Sequence, residues 1–407
     1  MSSSITPFKI SVTDEKLARL QQKLALTDFP DECVDAVNWC HGTPLSDVKR
    51  LIQHWKNSFD WRASEATLNE FPQYTTRINI DSFGQQELHF VHQPSQVKNA
   101  IPLLFLHGWP GSFIEVTRIL PQLVQGGDDF PAFHVVAPSL VGFGFSSGSN
   151  RKDFGIDQQA EAVHKVMLAL GYTQYIVQGG DIGYLVSRFL VLKYPNHVKA
   201  HHISNAAPAE PNEELHPKLH AKVKDTPLSS GELEGLGRTE HFSKEGNGYY
   251  KKQATKPQTV GYFMADSPSG LLAWLLEAFH DWVDDYKWTD DEILTWISIY
   301  YFSRAGPASS SYIYYAMEHA EVSPFVAAQK YSEVPLGTSR FPKDLILLPK
   351  LWNHTLGPIV YEKEHKNGGH FAAWEVPDAI VDDLRTMFGK GGGAFGVVAG
   401  KSGFDAA

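Results

Sequence analysis

Cysteine is scarce in this chain: there are two among 407 residues, Cys33 and Cys40. Two thiols build no disulfide framework and lack the company of a metal site, so free thiols in a reducing compartment are expected. Basic charge is also short. The formal net charge is -10, and a net negative surface repels phosphate backbones and anionic lipid, which argues against nucleic-acid and membrane partners. No run approaches the roughly 18 apolar residues of a membrane span. The opening residues, MSSSITPFKISVTDEKL, hold neither the basic segment nor the apolar core of a secretion signal. A soluble, cytoplasmic protein is the expectation. Internal repeats and basic tracts are absent as well. Low complexity is confined to GKGGGAFGVVAGKSGFDAA, from Gly389 to Ala407, where so many glycines make a loose tail the expected state.

What is present is ordinary globular material, 43% hydrophobic and 20% charged, with ample length for a large core. PLLFLHG (Pro102–Gly108) is a continuous apolar run stopped by Gly-Trp-Pro-Gly, as expected for a strand buried on both faces. HVVAPSL (His134–Leu140) and YIVQGG repeat the pattern, and VKAHHISNAA (Val198–Ala207) reads as a further strand. Between them, Ile156, Ala160, Val163, Met167 and Leu170 recur near the helical period, and an apolar helix follows Asp181. Strands alternating with helices imply a parallel sheet covered on both faces, an α/β fold. The alternation breaks from about Glu210 to Val322, where only helices and loops are legible, such as one starting at Ser267-Pro268 with Leu271, Leu272, Trp274, Leu275, Ala278, Phe279 and Trp282 on its apolar face. Strands are expected again at Lys343–Pro349 and Pro358–His365. A helical insert between sheet strands is most simply a lid over the sheet's C-terminal edge, where open α/β sheets bind ligands. The expected division is an N-terminal domain over 1–100 that packs on core and lid, a core over 101–210 and 325–390, a helical lid over 211–324, and a Gly-rich tail over 391–407.

The chemistry centres on Gly179-Gly180-Asp181-Ile182-Gly183. A strand, glycines and a helix in this order form the sharp turn that presents a nucleophile in α/β-hydrolases, but with aspartate in place of the usual serine. On its own the segment also suits a loop with Asp at a helix N-cap. His107-Gly108-Trp109-Pro110-Gly111 follows a strand, as an oxyanion loop does in that fold, so the N–H groups of Trp109 and Ile182 are the expected oxyanion donors. His370, in NGGHFAAWEVP, falls after the nucleophile in chain order, and Asp344, in FPKDLILL, is the best intervening carboxylate to orient it. His365 lies five residues before His370, but no third ligand stands near, so no metal and no cofactor are expected. VGFGFSSG (Val141–Gly148) is a loop and not a dinucleotide fingerprint, its third glycine being one residue late.

A carboxylate nucleophile suits displacement at a saturated carbon, giving an alkyl ester of the enzyme that water must then cleave. The substrate therefore carries an electrophilic sp3 carbon, as an epoxide or an alkyl halide does. A halide leaves unprotonated. An epoxide oxygen needs a proton, and a phenol of pKa ~10 is a fitting donor. The insert offers Tyr249 and Tyr250, and Tyr312, Tyr314 and Tyr315.

With HGWPGS, GGDIG, TKPQTVGYFMADSPSGLLAW and GGHFAAWEVP in order, and FDWRASEATLNEFPQY and HFVHQPS before them, the chain resembles the microsomal-type epoxide hydrolases, especially their soluble fungal members, over nearly its whole length. The resemblance implies an α/β-hydrolase fold with a helical lid and an N-terminal domain wrapping both, and a cofactor-independent conversion of an epoxide and water to a vicinal diol. It matches Asp181 to the nucleophile, His370 to the general base and Asp344 to its acidic partner. Tyr249 and Tyr314 match the pair that binds and protonates the epoxide oxygen beside Trp109; Tyr250 and Tyr315 stand one residue away from each. A homodimer is a state that soluble fungal members form. The rival readings are a dehalogenase, which needs no lid tyrosines, and a non-catalytic binder on the same fold. Detoxification, as in aromatic hydrocarbon catabolism, and biosynthesis would use the same residues.

Overall fold

The structure is a computed structural model that describes residues 4–33, 39–204 and 206–405. Nine strands form one sheet: β1 (Ile5–Phe8), β2 (Gln73–Ile80), β3 (Gly84–Gln93), β4 (Ile101–Leu106), β5 (Phe133–Pro138), β6 (Tyr175–Gly179), β7 (Val198–Ile203), β8 (Leu336–Arg340) and β9 (Ile359–Glu364). Their order is β1-β2-β3-β5-β4-β6-β7-β8-β9. The first three pairings in this order, β1–β2, β2–β3 and β3–β5, are antiparallel and the other five are parallel. The central strands are buried throughout, which is why IPLLFL and YIVQG read as unbroken apolar runs. Helices such as Ile156–Ala169 and Ile182–Lys193 cover the faces and pack on one another and on the sheet.

The topology fixes where a site can form. From β4 the chain moves to β5 on one side; from β6 it moves to β7 on the other. β4 and β6 are neighbours, so the loops leaving their C-terminal ends part company and open a crevice between them. His107–Gly111 lies on one side of that crevice and Asp181 on the other.

Among the described residues no strand falls between β7 and β8; the segment holds eight α-helices, from Pro217–Asp225 to Pro324–Ala328. Local chemistry starts several of them. Ser229 with Glu232, and Thr289 with Glu292, form reciprocal capping boxes, and Ser267 caps Pro268–Asp281 as read from the sequence. The N-terminal helices clasp this insert. Asp14–Ala25 and Leu45–Asn57 pack on Pro268–Asp281, Thr43 Oγ1 donates to Ala273 O at 2.9 Å, and Lys23 pairs with Asp266 at 2.8 Å. The sheet itself crosses position 101, since β3 pairs with β5. No helix among the described residues is long and apolar enough to cross a membrane.

Two expectations are corrected. Lys343–Pro349 is not a strand. The strand is the less conspicuous LGTSR of β8, and the apolar run after it is a loop whose leucines pack under the lid: Leu347 N donates to Thr239 Oγ1 at 2.8 Å and Arg238 Nε to Asp344 O at 2.8 Å. The tail is not loose over its described part. Ala394, Val398 and Phe404 are buried, and Gly403 exchanges backbone hydrogen bonds of 2.8 Å with Asn99 and Ala132. Gly403 there lies so close to Pro131 that a side chain would collide with it. Residues 406–407 lie outside the described residues.

Close approach at the crevice generates a test. A Cβ on Gly183 would strike the backbone oxygen of Leu106, whereas one on Gly237, exposed in the helix Ser230–His241, would meet nothing. Gly183→Ala is expected to destabilise by about 1–3 kcal/mol, the usual cost of overpacking. Gly237→Ala is expected to stabilise by about 0.5–1 kcal/mol. Urea unfolding of the two variants beside the parent reads both signs.

Candidate active site

β6 ends at Gly179 and the next helix starts at Ile182, so two residues must turn the chain. A Cβ on Gly179 would sit 2.6 Å from Gly183 O, and side chains at Gly108 and Gly183 would strike Asp181 and Leu106. The turn is built only because glycine occupies all three positions. Asp181 takes its strain: φ is +53° and ψ is -126°, a region that side-chain-bearing residues rarely enter. The result is a carboxylate held up into the crevice.

Trp109 N–H donates to Asp181 Oδ1 at 2.8 Å. Ile182 is the first residue of its helix, so its N–H is one of the donors that no helical carbonyl can satisfy. The loop carrying Trp109 is fixed from below by His107, whose Nδ1–H donates to Gly108 O at 2.9 Å and whose Nε2 accepts from Leu140 N at 3.2 Å. Burial holds His107 down at about 4, so it stays neutral and structural.

His370 Nε2 lies 3.4 Å from Asp181 Oδ2, and its Nδ1 lies 2.8 Å from Asp344 Oδ1. The imidazole and the Asp344 carboxyl are buried. Burial alone would lower the His370 pKa, but the Asp344 and Asp181 carboxylates outweigh it and raise it to about 10. The loop that carries His370 is tied to the insert: His370 N donates to Trp282 O at 2.8 Å and Gly368 N to Asp284 Oδ2 at 2.8 Å. Glu375 closes the loop by accepting from Phe371 N and Asp284 N.

The insert brings two phenols over the carboxylate. Tyr249, in the helix Gly248–Thr255, stacks on Trp109 with centroids 4.7 Å apart, and Tyr314, in Tyr312–Glu318, meets both rings edge-on at 5.9 Å. Burial, reinforced by Asp181, pushes both phenols well above their usual range. The Tyr314 hydroxyl and Trp109 Nε1 are buried with no hydrogen-bond partner among the described residues. The neighbouring candidates are turned to other work. Tyr250 donates to Glu318 at 3.0 Å, Tyr312 bonds Gln258, and Tyr315 stacks on His319 at 3.9 Å.

Asp181 thus stands between two cavities. The larger, about 220 Å³, is lined by Tyr249, Tyr250, Tyr314, Phe242, Met317 and Phe325 among others. The smaller, about 20 Å³, is lined by His370, Gly108, Gly111, Glu115 and Gln178. Asp181, Ile182, Trp109, Tyr249, Tyr314 and His370 line these cavities, and Asp344 stands behind His370. Those missed in the sequence are Glu115, Gln178, Glu375, Asp284 and the Trp282 carbonyl. An acidic residue inside the apolar stretch FIEVTRIL was the one available signal for Glu115. His365 does not join: it bonds the buried Asp383 at 2.7 Å, and no group of three metal-binding side chains gathers among the described residues.

The chain was compared with known proteins. A model of the epoxide hydrolase N terminus matches residues 5–116, and one of the alpha/beta hydrolase fold matches residues 101–285. Epoxide hydrolase 1 of Sus scrofa is 32% identical, over 95% of this chain and 89% of its own. The solved structure of Aspergillus niger epoxide hydrolase matches with a TM-score of 0.82 at 35% identity, covering 94% of this chain and 95% of that one. Juvenile hormone epoxide hydrolase from the silkworm Bombyx mori gives 0.84 at 27%, covering 94% and 93%.

The charge arrangement predicts a pH dependence of stability. The folded His370 pKa is raised from 6.5 to about 10, so its contribution is complete below about 6.5 and is lost as pH rises through about 10. The unfolding free energy of the parent minus that of His370→Gln, measured in urea across this range, should therefore shrink with rising pH. A flat difference would mean that the imidazole is neutral in the folded protein.

Proposed function

This chain belongs to the epoxide hydrolase family, and from that premise we propose that it opens epoxides through a covalent ester on Asp181. The observation that carries the reading is the place of Asp181 between a cavity lined by the buried phenols of Tyr249 and Tyr314 and a second one holding an imidazole. A carboxylate needs no base to become a nucleophile. Asp181 Oδ2 attacks an epoxide carbon in the larger cavity, the ring C–O bond breaks, and Tyr249 or Tyr314 gives the departing oxygen its proton. Phenols with raised pKa values stay protonated at neutral pH and are ready to donate.

The ester is then cleaved by water. His370, oriented by Asp344, takes a proton from the water, whose oxygen adds to Asp181 Cγ. Negative charge gathers on Oδ1, where Trp109 N–H already points and Ile182 N–H is the second candidate donor. Collapse releases the diol and restores the carboxylate. The net proton set free by ester hydrolysis replaces the one that the tyrosine gave up. A dehalogenase would use the same carboxylate, but it gives the two buried phenols over Asp181 no task.

The larger cavity sets the substrate class. Its walls of Tyr184, Phe242, Met317, Phe325 and Leu345 suit an aryl or alkyl substituent, and about 220 Å³ accommodates a single ring beside the epoxide. We assign residues 211–324 as the cover of this cavity and residues 1–100 as the clasp that holds the cover.

Two measurements test the mechanism. Intact-protein mass spectrometry of His370→Gln, mixed briefly with an aryl epoxide, should show an added mass equal to the whole epoxide, on the peptide carrying Asp181. No adduct, from epoxides that the parent converts to diols, would mean direct attack by water. Tyr249→Phe and Tyr314→Phe should each slow ring opening, and the double variant by about 10²–10⁴, the usual worth of a positioned acid. Undiminished single-turnover alkylation in the double variant would remove the phenols from the mechanism.

A further inference from the structure

Ring opening occupies one side of Asp181 and the imidazole the other, but the smaller cavity also has lining residues with no task in this chemistry. Glu115 and Gln178 are two of them. Glu115 rises from the short turn Phe113–Arg118, and its carboxyl fills the space that a side chain on Gly111 would need: a Cβ there would collide with Oε1. Gln178 precedes the glycine that ends β6, is 3% exposed, and its Oε1 has no hydrogen-bond partner among the described residues. Among the described residues, the titratable groups lining the cavity are Glu115, Asp181 and His370. Its volume of about 20 Å³ suits one water, which needs at least ~10–15 Å³ and two to four polar partners.

We propose that this chamber seats the water that cleaves the Asp181 ester, and that Glu115 and Gln178 position that water against His370. The inference rests on the ester reading above. A water attacking Asp181 Cγ must turn a lone pair to the carbon and one hydrogen to His370 Nε2. Its second hydrogen needs an acceptor; beside Asp181 and His370 the side-chain acceptors that line the chamber are the Glu115 carboxyl, the Gln178 amide oxygen and the Ser204 hydroxyl, and of these the Gln178 oxygen is buried without a hydrogen-bond partner among the described residues. Placed here, the water meets the ester from the side that the alkyl product does not occupy.

The Glu115 carboxyl is pushed up to about 8, by burial first and by Asp181, against the opposing pull of His370. Near neutral pH it keeps its proton. It then offers both a donor and an acceptor without setting a second negative charge beside the nucleophile. Tyr300 also faces this region and donates its hydroxyl to Gly111 O at 2.8 Å, so it is engaged elsewhere. In the hydrolytic step the water oxygen bonds to Cγ, one water proton passes to His370, and the Cγ–O bond to the product breaks. The departing oxygen takes the proton from His370, and the acid left on Asp181 returns one to the imidazole. Glu115 and Gln178 end as they began.

Rapid quenching of the whole protein after mixing with styrene oxide, read by intact mass spectrometry, separates ester formation from ester breakdown. Glu115→Ala is expected to slow breakdown by about 10–10²-fold, the effect of misplacing a reactant. Formation should hold, kcat and KM should fall together, and more of the protein should carry the adduct at steady state. Glu115→Gln keeps a donor and an acceptor of the same shape and should recover part of the loss. Gln178→Met should show the same split as Glu115→Ala. Equal slowing of both steps marks a structural role and overturns the proposal, as does breakdown at the parental rate in the Glu115 variants. If neither these variants nor His370→Gln carries an adduct on Asp181, the ester reading itself has failed and the water's placement falls with it. An adduct that Glu115→Ala clears normally refutes the placement alone.

Discussion

The close approach of β4, β6 and the helix Ile182–Lys193 governs the rest of the molecule. Glycines at 108, 179 and 183 are there because backbone and the Asp181 side chain already occupy the space of a Cβ. This crowding forces Asp181 to a positive φ and makes its carboxylate the highest point of the turn. It also brings Trp109 N–H within 2.8 Å of that carboxylate. Strain of this kind costs on the order of 1–3 kcal/mol, and a buried sheet on both sides over-determines the turn enough to hold it. The reactive group, its hydrogen-bond donor and the crevice are consequences of one packing problem.

The insert does more than cover this turn. The end of the helix Pro268–Asp281 supplies Trp282 O and, two residues on, Asp284, and both hold the His370 loop. The same insert supplies Tyr249 and Tyr314. Phenols and imidazole are therefore indexed to one body, which the N-terminal helices clamp through Lys23–Asp266, Arg50–Asp290 and His54–Asp291. These exposed pairs are each worth little in stability. Their use is to fix where the insert sits, because a shift of the insert would move acid and base together relative to Asp181.

This division explains what the sequence revealed. Strands buried on both faces announce themselves as apolar runs, and a nucleophile turn needs glycines at fixed offsets, so β4, β5, β6 and Asp181 were legible. His370 and Asp344 followed from chain order. LGTSR was passed over for KDLILLP because short polar side chains fill a narrow sheet position, while leucines are as useful beneath a lid as within a strand. The tail misled for a related reason. Its glycines allow close contact with Pro131 and Val360, and its few apolar residues suffice to anchor it. The resemblance favours Tyr249 and Tyr314 in the sequence but leaves Tyr250 and Tyr315 as alternatives one residue away; in the structure Tyr249, Tyr250 and Tyr314 all line the larger cavity, while the Tyr250 hydroxyl is donated to Glu318 and Tyr315 stacks on His319. Glu115 and Gln178 carry no motif. Their significance lies in facing the same small space from elements more than 60 residues apart, 178 against 115, and no local pattern encodes that.

The charges around His370 then suggest how the two half-reactions are kept in order. At rest two carboxylates flank the imidazole, at 3.4 and 2.8 Å, and together they hold it protonated. A protonated imidazole cannot activate water. In the proposed cycle, alkylation converts Asp181 to a neutral ester and withdraws one of the two charges that raised the His370 pKa. The same step leaves a tyrosinate in a buried setting that pushes Tyr249 and Tyr314 far toward the protonated form. Both changes drive a proton from the imidazolium toward the phenolate. His370 becomes a base only once there is an ester for it to act on, and Asp344, still charged and 2.8 Å away, keeps it basic enough to do so. When hydrolysis restores the Asp181 carboxylate, the liberated proton is drawn back to the imidazole. The buried carboxylate–imidazolium–carboxylate row thus orders alkylation before hydrolysis without any change of fold.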